Sequence, residues 1–202
     1  MLASGRYDLL TFSAIRFRME APQYEPHRAR WALAFSETGR ESIRAHLRRG
    51  GALFAVHAAS IAFDDWPEWG EILGGRWVWG QSGHPPFGKA EVRFDRAVAS
   101  PLTRGLPDFS CDDEVYGGLW ISPDVKPLAE ARATGADGKP GAWTPVLWAR
   151  DWQGGRVVYD ALGHDAASLE HPVHRQLQTR AALWALGRDK ELDMKTTEHK
   201  QS

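Results

Sequence analysis

The sequence predicts an α/β fold, a doubly wound sheet with helices packed on it. Strand-like and helix-like segments alternate along the 202 residues. The stretch GGALFAVHAAS (residues 50–60) is an apolar run that stops on a histidine followed only by small residues. In α/β proteins such a stop marks the carboxyl edge of the sheet, where a reactive side chain is held on a sharp turn. The middle of the chain is richer in strand signals than its flanks.

Tyr7 to Ile15 (YDLLTFSAI) is an apolar run of strand length and reads as a buried strand. A polar loop with Pro22 and Pro26 follows. The spacing predicts a helix over 41–49, where Ile43 and Leu47 lie four apart, arginines fill the last turn and Gly50 stops it. Residues 52–56 form the strand that ends on His57. Asp65 is placed to N-cap a short helix with Pro67 in its first turn, closed by Gly74 and Gly75. Strands are expected at 76–79, 90–94, 125–131, 145–149 and 156–161. A last helix over 172–186 carries one apolar stripe (Val173, Leu177, Ala181, Trp184) and ends at Gly187. Residues 189–202 are polar and read as a disordered tail, which leaves one domain over 1–188. No internal repeat is present.

Composition excludes several classes of function. The formal charge of −1 gives no electrostatic basis for binding nucleic acid or an anionic membrane. No apolar run approaches the roughly 20 residues of a membrane span, and the N-terminus lacks the basic flank and apolar core of a secretory signal. With Cys111 as the only cysteine no internal disulfide can form, so a reducing, cytoplasmic setting is expected. Gly pairs occur, but no G-x-G-x-x-G fingerprint, P-loop or G-x-S-x-G elbow. Cys111 stands beside three acids, which would raise its pKa and blunt it as a nucleophile.

Candidate chemistry resides in polar residues that end apolar runs. His57 and His164 each follow a strand, His84 sits in the loop QSGHPPFG, and Glu114 belongs to the acidic segment SCDDEVYGGLW. Imidazoles and a carboxylate can hold a divalent metal such as zinc, and they can equally do acid–base work near neutral pH. No short-range metal spacing of the H-E-x-x-H or C-x-x-C kind selects between the two. Plainer readings stand beside these: His57 and His164 as strand caps, His84 as a loop residue, Glu114 as the solvated end of an acidic run. His27, His46, His171, His174 and His199 fall in helical or polar segments and read as solvated. The two strand-end histidines are expected on parallel neighbours, so all four side chains should share one cleft. Ten tryptophans punctuate the chain, and aromatic faces suit the C–H face of a sugar ring. Trp120 and Trp143, in loop-like contexts, are the candidates for such a ligand, the rest reading as core or interface anchors.

The succession GGALFAVHAAS, WPEWGEILGGRW, GHPPFGKAEVRF, SPLTRGLPDFSCDDEVYGGL and PVLWARDWQGGRVVYDALGHDAASLEHPVHRQLQTRAALWALGR resembles the ThuA-like (trehalose utilisation) family over about residues 6 to 188. The resemblance implies a flavodoxin-like sheet of the class I glutamine amidotransferase type, with His57 where those enzymes carry a catalytic cysteine. Amidotransferase activity is therefore not implied. It implies instead a carbohydrate-utilising protein acting on a disaccharide or a keto derivative, with a small-molecule carbohydrate as partner. His57, Glu114 and His164 would be catalytic. His84, Tyr116, Trp120, Trp143 and Asp165 would contact substrate. His57, His84, Glu114 and His164 would be the candidate metal ligands. The rival reading is a non-catalytic sugar-binding or subunit-interaction module on the same fold. That family begins with a β-α-β unit ahead of the segment matching YDLLTFSAI, and this sequence does not. Without it Leu9, Leu10, Phe12, Leu53 and Phe54 should lose their cover, and upstream sequence or a partner copy in a homo-oligomer would supply it.

Overall fold

The structure, a computed structural model, describes residue 5 and residues 7–135 and 137–192. Its elements run β1 (Leu9–Phe12), α1 (Glu25–Trp31), α2 (Glu37–Arg48), β2 (Ala52–Val56), α3 (Pro67–Leu73), β3 (Gly75–Arg76), β4 (Gly88–Phe94), β5 (Phe109–Asp113), β6 (Trp120–Ile121), β7 (Ala129–Ala133), β8 (Thr144–Trp152), β9 (Gly155–Asp160), α4 (Ala166–Glu170) and α5 (Pro172–Ala185). Seven strands form one sheet in the order β1-β2-β9-β8-β7-β4-β5, and β3 pairs with β6 in a separate ribbon. The fold is α/β and flavodoxin-like, as expected. Among the described residues, parallel pairing is confined to β1–β2 and β2–β9, while the strand-rich middle of the chain adds an antiparallel half.

The parallel half reads as the sequence does. All five residues of β2 are buried, because α2, α3 and α5 pack on the β2–β9 pair and leave it no solvated face. Ser36 caps α2, its hydroxyl accepting from Gly39 N at 3.2 Å, so the helix begins at Glu37, four residues before the expected start. Asp65 does not cap α3. Trp66 takes that position, and the Asp65 carboxylate instead accepts from Phe35 N and Arg40.

The loop expected around Pro22 and Pro26 contains a short helix, α1, and a strand missing from the expectation, β5, runs to the residue before Glu114. The strand expected at 125–131 starts only at Ala129, and that expected at 76–79 is a two-residue ribbon. Leu53 and Phe54 are buried, because β1 pairs along one edge of β2 and β9 along the other, whereas Leu9, Leu10 and Phe12 are half-buried. His46 and His174, expected to be solvated, are fully buried and hydrogen-bonded. The segment expected to be disordered from 189 begins as a packed turn: Asp189 pairs with Arg156 and Leu192 is buried. Residues 193–202 lie outside the described residues. Among the described residues no helix is long and apolar enough to cross a membrane.

Candidate functional site

His57 leaves β2 on a strained turn. Its φ of +48° lies in the left-handed region that side-chain-bearing residues seldom adopt, and Ala58, Ala59 and Ser60 let the chain coil tightly behind it. The surroundings hold this conformation in place. The buried Tyr159 hydroxyl donates to the His57 carbonyl at 2.8 Å, and Trp69 Nε1 donates to Ala59 O at 2.8 Å. The imidazole Nδ1 lies 2.8 Å from Ala161 O, an acceptor only, so Nδ1 carries the proton and Nε2 presents a lone pair. Tyr116 Oη sits 2.8 Å from that Nε2 and donates to it. Burial, followed by the charge of Glu114, pushes the Tyr116 pKa up, which keeps the phenol a donor.

His164 follows β9 across a turn of three residues. Gly163, at φ +104°, is required there: a Cβ would fall 2.8 Å from Leu169 Cδ2 and 3.0 Å from Val56 Cγ1. Because β2 and β9 are parallel neighbours, the two histidines emerge at the same edge, with ring centroids 5.4 Å apart. Glu114, just past the end of β5, lies between them. Its Oε2 is 3.0 Å from His164 Nδ1 and 3.5 Å from His57 Nε2, and its Oε1 is 3.6 Å from His84 Nδ1. His84 itself lies in a loop tied to Gly117 by a bridge at Gly83. All four expected side chains thus line one cavity of about 350 Å³, walled by Tyr24, Trp77 and Trp79.

His57, Glu114 and His164 each offer one donor atom, all within 4.8 Å of one another, a spacing that fits a divalent ion. Tyr116 is part of the same cavity. The other expected ligand contacts lie elsewhere. Trp120, in the β3–β6 ribbon, carries the Arg76 guanidinium over its ring at 4.5 Å. Trp143 carries the guanidinium carbons of Arg93 (4.0 Å) and Arg132 (4.7 Å) over its ring and lines a neighbouring cavity of about 680 Å³ that shares His84 with the first. Asp165 caps α4, accepting from Ser168 N at 2.9 Å. Sequence reasoning missed Trp77, Trp79 and Tyr24 as cavity walls; their spacing gave no periodic signal. Cys111 is half-buried outside this cavity, its thiol pushed up to about 12 by burial and by Asp113.

A flavodoxin-like sheet with a strained elbow and a His/Glu cluster at its carboxyl edge defines the class of this protein. The model of the trehalose utilisation family, ThuA, matches residues 30–185, and the chain belongs to that family. Solved structures agree on the fold. A ThuA-like protein of Parabacteroides merdae is 18% identical with a TM-score of 0.67, the match covering 90% of this chain and 71% of that one. A ThuA-like protein of Bacteroides uniformis is 17% identical, TM-score 0.66, with 95% and 76% covered. A cytoplasmic protein of Salmonella typhimurium is 16% identical, TM-score 0.59, with 92% and 74% covered. No curated protein matches the chain.

Proposed function

We propose that this chain is a carbohydrate-processing enzyme acting on a disaccharide or a keto derivative, with its chemistry at His57, Glu114 and His164. One observation carries the reading: three titratable groups that follow β2, β5 and β9 bring one donor atom each to within 4.8 Å of one another in an aromatic-walled cavity. Glu114 can take a proton from a sugar carbon or hydroxyl placed over it, and His164 at 3.0 Å can stabilise the charge on that carboxylate. His57, its Nδ1 proton engaged by Ala161, can accept a substrate proton at Nε2 once the Tyr116 hydroxyl turns from that nitrogen to a developing oxyanion, where the phenol, still protonated, donates. The donor set also suits a divalent metal such as zinc, since two imidazole nitrogens and a carboxylate converge and the His57 Nδ1–H bond to a carbonyl is the support that orients ligating imidazoles. Such an ion, when bound, polarises a carbonyl or acidifies a water. His84 would be a further ligand or a substrate contact. Amidotransferase chemistry is not expected, because the elbow bears an imidazole and the one cysteine lies off the cavity.

The test is a turnover screen of disaccharides and 3-keto-disaccharides, with metal analysis of protein purified without a His-tag. Turnover that disappears in His57→Ala and His164→Ala, both still folded, supports the enzyme. Sugar binding without turnover or metal would identify a non-catalytic binding module instead.

A further inference from the structure

Beneath the cavity lies a second polar cluster. Asp113, the last residue of β5, is 1% exposed, yet its carboxylate is filled. Oδ1 accepts the N–H of Glu114 (2.7 Å) and of His164 (3.1 Å). Oδ2 accepts the N–H of Gly163 (2.7 Å) and the hydroxyl of Ser168. Asp160, the last residue of β9 and equally buried, accepts Leu162 N at 3.1 Å on Oδ1, while its Oδ2 lies 2.8 Å from His174 Nε2. His174 Nδ1 faces the Ser168 carbonyl at 2.8 Å. Both imidazole nitrogens point at acceptors, so His174 is held as an imidazolium between them. The four side chains close around the turn 161–164. That turn supplies the Ala161 carbonyl that orients His57, and it carries His164.

We infer that Asp113 is a positioning residue for the site: by gathering the amides of Glu114, Gly163 and His164 on one buried carboxylate, braced through Ser168, His174 and Asp160, it sets the distance between Glu114 and both imidazoles. The inference rests on the reading that those three groups form the working site. An apolar residue here would leave three buried amides without an acceptor, so the position calls for a group with several lone pairs. A carboxylate can accept several amides at once, so it fixes the direction of each peptide as well as its proximity.

The experiment compares the full-length protein with Asp113→Asn, Ser168→Ala and Val92→Ala, the last a core truncation in β4 that lowers stability away from the site. Each is titrated with Co²⁺ and followed by its visible bands, and the imidazole ¹⁵N spectra of His57 and His164 are recorded without metal. Asp113→Asn should weaken Co²⁺ binding roughly 10- to 100-fold and shift the bands, as loss of an outer support does. Ser168→Ala should shift the same way by less, and Val92→Ala should melt earlier with Co²⁺ affinity intact. The inference is overturned if Asp113→Asn behaves like Val92→Ala. If the wild type binds no Co²⁺, the metal reading fails, and the imidazole spectra decide: those of Asp113→Asn should differ from wild type, and superimposable spectra overturn the positioning role. Should Asp113→Asn fail to fold, Ser168→Ala carries both readouts.

Discussion

Two polar clusters share one turn of this molecule and differ in almost everything else. Below the turn, Asp113, Ser168, His174 and Asp160 are sealed from water, and their hydrogen-bonding groups meet partners within the protein. Above it, His57, Glu114, His164 and His84 line a cavity, several of their contacts are 3.5–3.6 Å long, and His164 is open to solvent. Imidazoles and carboxylates dominate both. What separates framework from chemistry is spare capacity: a sealed and satisfied group has nothing left to offer a ligand, whereas the Glu114 carboxylate is loosely held and His57 Nε2 is engaged only by a hydroxyl on the cavity wall that a ligand can replace.

Breaking the sealed cluster should cost stability most. Asp160→Ala leaves the His174 charge buried without its partner, and losing one member of such a pair costs roughly 3–5 kcal/mol. Thermal unfolding should move down on the order of 10 °C for a chain of this size. An unchanged midpoint would mean that the pair is not formed in solution. The same pair makes stability depend on pH. Burial alone would lower the His174 pKa, but the charge and hydrogen bond of Asp160, aided by the Ser168 carbonyl and Asp113, raise it from 6.5 to about 9. A folded-state pKa raised this way gives stability that is whole below about 6.5 and is lost as pH rises towards 9. Up to about 3 kcal/mol should disappear across that window, and His174→Gln should flatten the curve. His171 stacks on Phe109 as His174 does, but burial and His174 lower its pKa, so its titration falls below the window.

The contrast also explains what the sequence could and could not disclose. His57 and His164 were legible because an apolar run that ends on a histidine leaves few places for it but the sheet edge, and β2 and β9 are parallel neighbours as that pattern requires. His174 was read as solvated since it lies in a helix beside Arg175 and outside the apolar stripe of Val173, Leu177, Ala181 and Trp184, and only tertiary packing places its ring against Asp160. Asp113 was hidden inside an acidic run whose members alternate on a strand: Asp113 faces inward while Asp112 faces out, and without β5 in the expected fold that alternation had no meaning. The antiparallel half was only partly legible, because strands such as β7 (AEARA) alternate small and charged residues and carry a weak signal.

Removing function while leaving the framework intact should be possible in the open cluster. Glu114→Gln keeps the shape and deletes the charge. Turnover of whichever sugar the screen identifies should drop roughly 100-fold or more, the scale of a lost acid–base group. The melting temperature should stay within about 2 °C, because the side chain of Glu114 makes no short contact beyond His164. A fall in stability without loss of turnover would reverse the assignment of the two clusters.

The smallest effect concerns the aromatic wall. Sequence context singled out Trp120 and Trp143, yet each ring already carries an arginine guanidinium, a cation–π contact with which a stacked sugar would compete. Trp79 is different. It is 45% exposed, lines the His/Glu cavity, and meets Trp77, Phe17 and Tyr24 through ring contacts of 5.2–6.2 Å that leave part of it open. Stacking a sugar ring there is worth about 0.5–1.5 kcal/mol, so Trp79→Ala should weaken disaccharide binding by no more than roughly tenfold in calorimetry. Trp120→Ala should leave the affinity where it was. If Trp143→Ala weakens binding and Trp79→Ala does not, the sugar occupies the larger neighbouring cavity, reaching the site past His84, which borders both.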